Sequence, residues 1–558
     1  MRSKKSRNPV PTRTKQAASP WAPFRHRAFL WLWLGVVAAS IGSWGQTVGA
    51  QWLFVTDPNA SAIVPLVQTA NQLPVMLLAL PAGVLADAFD RRWLLFGIQT
   101  YFVIVASSLA ILTALGMMPP ALLLTFTFAV GCGAAMLQPV WQSLIAEIVP
   151  RDKLAAATRL DMVSVNVSRA AGPALAGLVI AHLGVPPVFI INAAAGCTLA
   201  IVLLAWRRPP VARGERERFL PALRAGARYV QHEPVIRRIL LRFAIFVSPA
   251  CAVWALLPLI ANRQLGVGPD GYGLLFASMG IGALIAAFNL GKIKQYLSSN
   301  AVLVLAAVAY ALTFGALAFA TSIWLAVPLL LVCGFGWTAT VATTNSELQL
   351  FLPGWVRARG IAIYVMVFLG TQALSAAIWG LVTQYFGLQF SVLAAAALVA
   401  CSAFTGRLLA VQEAQHMDRS PLSYWRTPEV AVEPDPAAGP VLISVEYEVA
   451  DDEETAFLLA LQELRRSRLR SGASRWDLYR VGESPNVFLE QFEVPTWREH
   501  QRQHEGRLTA QDKAIEDAAF AHVIGTPRTQ HLLPPSTPRL AMSIGSDPDL
   551  LALPEATI

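Results

Sequence analysis

The sequence predicts an all-α membrane protein of twelve transmembrane helices in two six-helix halves, with a small α+β domain appended at the C-terminal end. Three observations predict it. Hydrophobic residues make up 55% of the 558 and charged residues 14%, too apolar for a soluble chain of this length. Apolar stretches of about 20 residues, the length that crosses a hydrocarbon core, recur from residue 29 to residue 410. After residue 410 the hydrophobicity falls, and a strand-like alternation takes over from residue 441.

Residues 1–28 carry Arg2, Lys4, Lys5, Arg7, Arg13, Lys15, Arg25 and Arg27 with no acid, as a disordered cytoplasmic tail does. The tail runs into a span without a convincing cleavage site, so the first span is expected to be retained. Six spans fall near 29–53, 61–86, 93–115, 120–146, 161–182 and 187–206, giving an N-terminal bundle over 29–206. The connection 207–238 alternates Arg and Glu around Arg213 to Arg218 and then turns amphipathic, which suits a linker helix at the membrane surface. Six more spans near 239–261, 271–291, 300–319, 322–345, 361–385 and 388–410 make a C-terminal bundle over 239–410.

Alternate loops hold Arg91 with Arg92, Arg151 with Lys153, the basic linker, Lys292 with Lys294, and Arg357 with Arg359. The opposite loops carry almost no basic residue, Arg263 excepted, so both termini are expected in the cytoplasm. The net charge of +9 is spread over these short loops rather than gathered in one patch, which argues against a nucleic-acid partner. All five cysteines lie inside apolar segments with no CxxC pair, so neither a disulfide framework nor a zinc site is indicated. No Gly-rich loop ending in Gly-Lys-Ser/Thr is present, so energy is expected from a gradient rather than from ATP.

The stretch from Gly83 to Arg92 joins the second and third spans. Gly83 permits close helix approach, Asp87 at the boundary needs a positive partner, and Arg91 and Arg92 hold the loop in the cytoplasm. The two halves also match weakly at an offset of 203: Gln142-Ser143 before Pro150 corresponds to Asn345-Ser346 before Pro353, and Arg91 to Lys294, while Asp87 meets Leu290. Together these features resemble the major facilitator superfamily over about residues 25–410, with Gly83, Asp87, Arg91 and Arg92 on its loop signature and Asp90 where a second glycine is usual. Gly172, Pro173 and Gly177 in the fifth span resemble the family's proline-glycine exporter element, although a packed helix kink uses the same residues. The fourth span, Ala121 to Ile145, lacks the arginine often found in proton-coupled drug exporters, which leaves proton coupling open.

The resemblance implies alternating access around a midplane site, with helices one, four, seven and ten lining the pathway. Gln46, Gln138, Trp254 and Trp337 are its expected lining, and an interhelical hydrogen bond is the alternative for each glutamine. Arg169 joins them, because a charge inside a span costs on the order of 3 kcal/mol or more unless it is paired or functional. Asp87 is expected to face the start of the eleventh span near Gly360, where amides and helix dipole favour a carboxylate. Arg91 or Arg92 is expected to pair with Glu147 or Asp152 in the gate.

Residues 411–440 are rich in Pro, Ala and acids and read as a linker. A strand over Val441 to Val449, a helix over Glu453 to Arg470, a hairpin of Ser474 to Val481 with Phe488 to Val494, two helical pieces and a strand over Arg528 to Leu533 give a βαββαβ order across 441–533. The tail 534–558 reads as disordered. The module resembles ferredoxin-like domains of the antibiotic-biosynthesis-monooxygenase type, which implies dimerisation as an open property. Its fusion to twelve spans resembles the transmembrane secretion effector group. His500 and His504 share a helix face, but no third ligand is indicated, so no metal and no cofactor is expected. The run Arg465, Arg466, Arg468 and Arg470 reads as a solvated helix end.

The chain is accordingly expected to be a non-enzymatic secondary transporter of a bacterial inner membrane, exporting small amphipathic compounds such as drugs or siderophores. Lysophospholipid or nutrient transport by the same fold is one alternative. A membrane-anchored monooxygenase or ligand sensor acting through residues 441–533 is another.

Overall fold

The computed structural model describes residues 21–150, 153–206, 219–410 and 434–534, together with 422–425, 428, 430 and 431. The chain divides into two compact units, Met1–Met417 and Asp418–Ile558. Among the described residues of the first unit, twelve helical segments are long and apolar enough to cross a membrane.

Six of these belong to the first half: α1 (Arg27–Trp52), α2 (Ala60–Ala88), α3 (Arg91–Ala114), α4 (Pro120–Ile148), α5 (Leu154–Leu183) and α6 (Pro186–Ala205). Helix α2 stays continuous through Pro65, Pro74 and Pro81, as a helix packed among neighbours in a bundle can. Asp90 caps α3, its carboxylate accepting from the Arg92 and Trp93 amides. A short amphipathic helix, α7 (Phe219–His232), precedes the second half, and Tyr229 on it meets Trp355 edge-on at 5.6 Å.

The seventh span is not one regular helix. It runs from Pro234 to Gln264 as α8 (Pro234–Ala250) and α9 (Ala252–Leu259), then closes in a π-turn over Ile260–Gln264. Pro249 and Pro258 withhold amides from the ladder, and the helix breaks beside Cys251, near the middle of the span. The remaining spans are α10 (Pro269–Tyr296), α11 (Ser299–Leu317), α12 (Ile323–Phe351), α13 (Arg357–Phe386) and α14 (Leu388–Leu408).

The two halves meet chiefly where α2 packs on α13 and α5 on α10. Three hydrogen bonds across this seam lie toward the end away from the basic loops. Arg263 donates to the Ser61 hydroxyl at 2.8 Å, Tyr272 donates to Gln51 at 2.6 Å, and Thr69 donates to the Ala373 carbonyl at 2.8 Å. At the α5–α10 crossing a Cβ on Gly177 would lie 2.4 Å from the Pro269 carbonyl oxygen, so only glycine allows this approach.

The second unit carries an antiparallel sheet in the order β2-β3-β1-β4, built from β1 (Val441–Glu448), β2 (Arg475–Arg480), β3 (Val487–Val494) and β4 (Arg528–Leu532). With α15 (Glu454–Ser471), α16 (Trp497–Arg502) and α17 (Ala510–Phe520), this is the ferredoxin-like order. Its core holds Tyr447, Phe457 and Phe492. The described residues 422–440, read from sequence as linker, pack onto this unit: the Leu422 amide donates to the Leu508 carbonyl, and the Trp497 amide to the Ala438 carbonyl. Trp425 supplies the reason, since its ring adds to the core and its indole finds Glu516.

Candidate functional site

Arg169 stands at the middle of α5, with its guanidinium carbon 5.7 Å from the Trp44 ring centre on α1. Its Nε is buried and meets no hydrogen-bond acceptor among the described residues. Gly172, one turn on, explains the approach of α1: a Cβ there would lie 2.7 Å from the Trp44 Cβ and 2.9 Å from the Ile41 carbonyl oxygen. The small residue brings an aromatic face to the cation.

From Trp44 an aromatic series crosses into the second half. Trp44 meets Phe276 of α10 at 5.9 Å, Phe276 meets Trp254 of α9 at 5.2 Å, and Trp254 meets Trp337 of α12 at 5.8 Å between ring centres. Trp337 continues to Phe368 of α13 at 6.0 Å. The edge-on pairs are mutually favourable. The Trp254 indole Nε1 is likewise buried without an acceptor among the described residues. Two buried N–H donors, one beside its first ring and one within it, therefore lie along the aromatic track, and an unsatisfied buried donor costs about 1–3 kcal/mol until something accepts from it.

The other expected pathway residues separate. Gln138 is exposed on α4. Gln46 is buried, and its carbonyl accepts from the Asn192 amide of α6, so it makes the interhelical hydrogen bond between α1 and α6 that was the alternative to a place in the lining. Asp161 also turns away from Arg169, accepting from the Trp141 indole of α4 at 2.8 Å. Pro173 and Gly177 lie at the α5–α10 seam, where the Pro173 carbonyl oxygen would stand 2.7 Å from a Cβ on Gly273.

At the basic-loop end Arg91 forms an ion pair with Glu147 of α4. Arg92 instead donates to the Leu203 and Leu204 carbonyls at 2.8 and 2.7 Å, closing the C-terminal end of α6. The second half carries a comparable clasp, in which Lys294 pairs with Glu347 at 3.0 Å and Ser299 donates to the same carboxylate at 2.6 Å. The surroundings of Gly83, the side chain of Asp87 and the whole of Asp152 lie outside what the structure describes.

In the C-terminal unit the arginine run is not solvated as a whole. Arg468 is 3% exposed and pairs with Glu490 at 3.2 Å and Glu516 at 2.7 Å, while Arg470 pairs with Asp512 at 2.6 Å. Burial pushes the Asp512 carboxyl up, but Arg470 and hydrogen bonds from Ser467 and Thr509 outweigh it and hold the group below the usual Asp range. The Arg468–Glu516 pair forms one wall of a cavity of about 490 Å³ that is also lined by Trp425, Phe492, His500 and His531. The expectation of no third imidazole is corrected here, because β4 carries His531 to His500 and His504. Burial, above all, pushes the His500 imidazole down to about 3, which keeps it neutral.

A family model described as transmembrane secretion effector matches residues 18–538. The chain belongs to that family. Among relatives of this transmembrane secretion effector, the staphyloferrin A transporter of Staphylococcus aureus is 22% identical over 261 residues, 46% of this chain, and the match spans 65% of that relative's length. An enterobactin exporter of Salmonella typhi is 26% identical over 57% of this chain and 76% of its own. A multidrug efflux pump of Mycolicibacterium fortuitum is 21% identical over 62% of this chain and 85% of its own. The fold matches a bacterial homologue of the lysosomal transporter Spinster, in an inward-facing and occupied conformation, with a TM-score of 0.57 at 17% identity over 70% of this chain and 97% of that one. A transporter of the POT family matches with a TM-score of 0.58 at 12% identity, over 69% of this chain and 98% of that one.

Two features of this transmembrane secretion effector were hidden from sequence reading. Phe276 and Phe368 are ordinary apolar residues in a span, and nothing in their spacing marks them as links between Trp44, Trp254 and Trp337. His531 lies 27 positions beyond His504 on a strand, so only strand register brings it to the helix pair.

Proposed function

We propose that this transmembrane secretion effector is a secondary active transporter of a bacterial inner membrane. It moves small amphipathic molecules with aromatic rings and acidic oxygens, of the siderophore or drug class, out of the cell by alternating access. Arg169 carries the reading. A guanidinium at the middle of a span, without an acceptor for Nε, asks for an anion. The aromatic series from Trp44 to Trp337 offers ring faces to the rest of such a molecule, and the Trp254 indole offers a second donor.

Export is favoured by the relatives, one an enterobactin exporter and another a multidrug efflux pump. If the basic loops face the cytoplasm, the tight α5–α10 seam at Gly177 seals the outer side and the site opens inward. Arg91 with Glu147 then acts in the cytoplasmic gate, and Asp87 and Asp152 complete it when that side closes. The gradient that drives the cycle is assigned by the same experiment as the substrate class.

That experiment is efflux from proteoliposomes under imposed proton or sodium gradients, using a catecholate and a neutral amphipathic dye with wild type and Arg169→Gln. Wild type should move both under one of the gradients, and the variant should lose at least tenfold in catecholate transport while keeping the dye. Equal catecholate transport by the variant would refute the role of Arg169, and no transport of any compound by wild type would refute the class.

A further inference from the structure

We propose that His500, His504 and His531 form a binding site for a divalent first-row transition-metal ion, with its remaining coordination positions open to the cavity of the C-terminal unit. This site is separate from transport and stands on the geometry of that unit alone.

The nitrogen atoms that the three imidazoles can offer all lie within 4.8 Å of one another. The Nε2 atoms of His500 and His504 are 3.3 Å apart. Two nitrogens bound at about 2.05 Å to one tetrahedral ion stand roughly 3.3 Å apart, so this pair has the spacing of ligands sharing a metal. Three imidazoles with no thiolate or carboxylate suit Zn²⁺, Co²⁺, Fe²⁺ or Cu²⁺ and disfavour Ca²⁺ and Mg²⁺, which take oxygen ligands.

The surroundings orient the ligands. His500 is 1% exposed, and its Nδ1 lies 3.0 Å from the Gln503 carbonyl oxygen. That oxygen can only accept, so Nδ1 carries the proton and Nε2 presents its lone pair toward His504. A ring nitrogen held by a second group in this way is the usual support of a histidine ligand. Gln503 is itself buried and donates to the Ser471 hydroxyl at 3.4 Å. Trp497 packs on both His500 and His531, at 5.4 and 6.0 Å between ring centres, and Trp425 packs on His504 at 5.1 Å.

The third ligand is fixed by the sheet, because His531 on β4 stands opposite Ile443 on β1. The ligands therefore come from α16, the turn after it and a strand, a set rigid enough to impose geometry. The cation in the cavity wall, Arg468, is paired with Glu490 and Glu516, and these carboxylates offset its repulsion of a second cation. A core histidine cluster would be closed over by apolar side chains. Here all three imidazoles line a cavity of about 490 Å³ together with Thr529 and Tyr424, room for a water or an oxygen-donor ligand on the exposed side of an ion.

The test uses the full chain, made without a polyhistidine tag, stripped with a chelator and held in nanodiscs. Titration with Co²⁺ should give one bound ion per chain with the visible absorption of a low-coordinate site, and Zn²⁺ should displace it. His531→Ala should weaken Co²⁺ at least tenfold and change the spectrum. His504→Gln, at a half-buried position, should do the same and carries the test if His531→Ala does not fold by near-ultraviolet circular dichroism. Absence of Co²⁺ and Zn²⁺ binding by wild type, or a wild-type spectrum and affinity in a folded variant, would overturn the site.

Discussion

Arg468 is a buried arginine and Arg169 a half-buried one whose Nε is enclosed, and the two are treated in opposite ways. Arg468 in the C-terminal unit has Glu490 and Glu516 within 3.2 Å and two aromatic faces, Trp425 and Phe492, with ring centres 4.9 and 5.1 Å from its guanidinium carbon. Arg169 in the bundle has one ring, Trp44, and no carboxylate partner among the described residues. A buried charge with its counter-charges in place belongs to the architecture, and removing it strands those partners. A charge inside a span without them is costly to the apo protein, and the proposed anionic substrate would supply what Arg169 lacks.

The largest effect should come from breaking the completed network. Arg468→Ala leaves Glu490 and Glu516 buried without a cation and should cost about 3–5 kcal/mol. Hydrogen exchange of the full chain would show it as lost protection of β1 and β3 amides with the bundle unaffected, and unchanged protection would contradict the structural role. Arg169→Gln in the same experiment should leave protection of the bundle intact.

Next in size is the seam that frames Arg169. Gly177→Ala places a Cβ against the Pro269 carbonyl, and forcing atoms into a packed contact costs about 1–3 kcal/mol. Cysteine labelling at the end away from the basic loops should rise as α5 and α10 part. Labelling equal to wild type would show that this crossing does not hold the conformation. A smaller effect is the pH dependence of the C-terminal unit. The folded Asp512 pKa lies below its unfolded value, ordinarily near 3.9, so the unfolded state binds the proton first. Its stabilisation is complete above about pH 5 and is lost as pH falls through about 4 toward the folded pKa. Asp512→Asn should remove that part of the acid sensitivity, and an unchanged acid profile would count against it.

How far the sequence could be read follows the same divide between regular and completed features. The spans were legible because a bilayer sets their length, and the strands because Val441 to Glu448 alternates with the pleat. The break at Cys251 was not, since Pro249 and Pro258 also occur in continuous membrane helices, as Pro65, Pro74 and Pro81 do in α2. Arg169 could be singled out, because a charge in a span is rare whatever surrounds it. Its companions could not, because a glutamine such as Gln46 serves packing or pathway equally well until Asn192 is seen beside it. Arg468 looked like a solvated charge for the same reason: Glu490 and Glu516 reach it from β3 and α17, distant in sequence.

The most direct measurement is equilibrium binding of a catecholate to the purified protein, read by quenching of tryptophan emission, for wild type, Arg169→Lys and Arg169→Gln. Wild type should bind tightest, lysine should keep part of the affinity as a cation without the guanidinium fork, and glutamine should lose at least tenfold, about 1.4 kcal/mol. The same affinity in all three would contradict the claim that Arg169 is left unpaired for an anionic substrate.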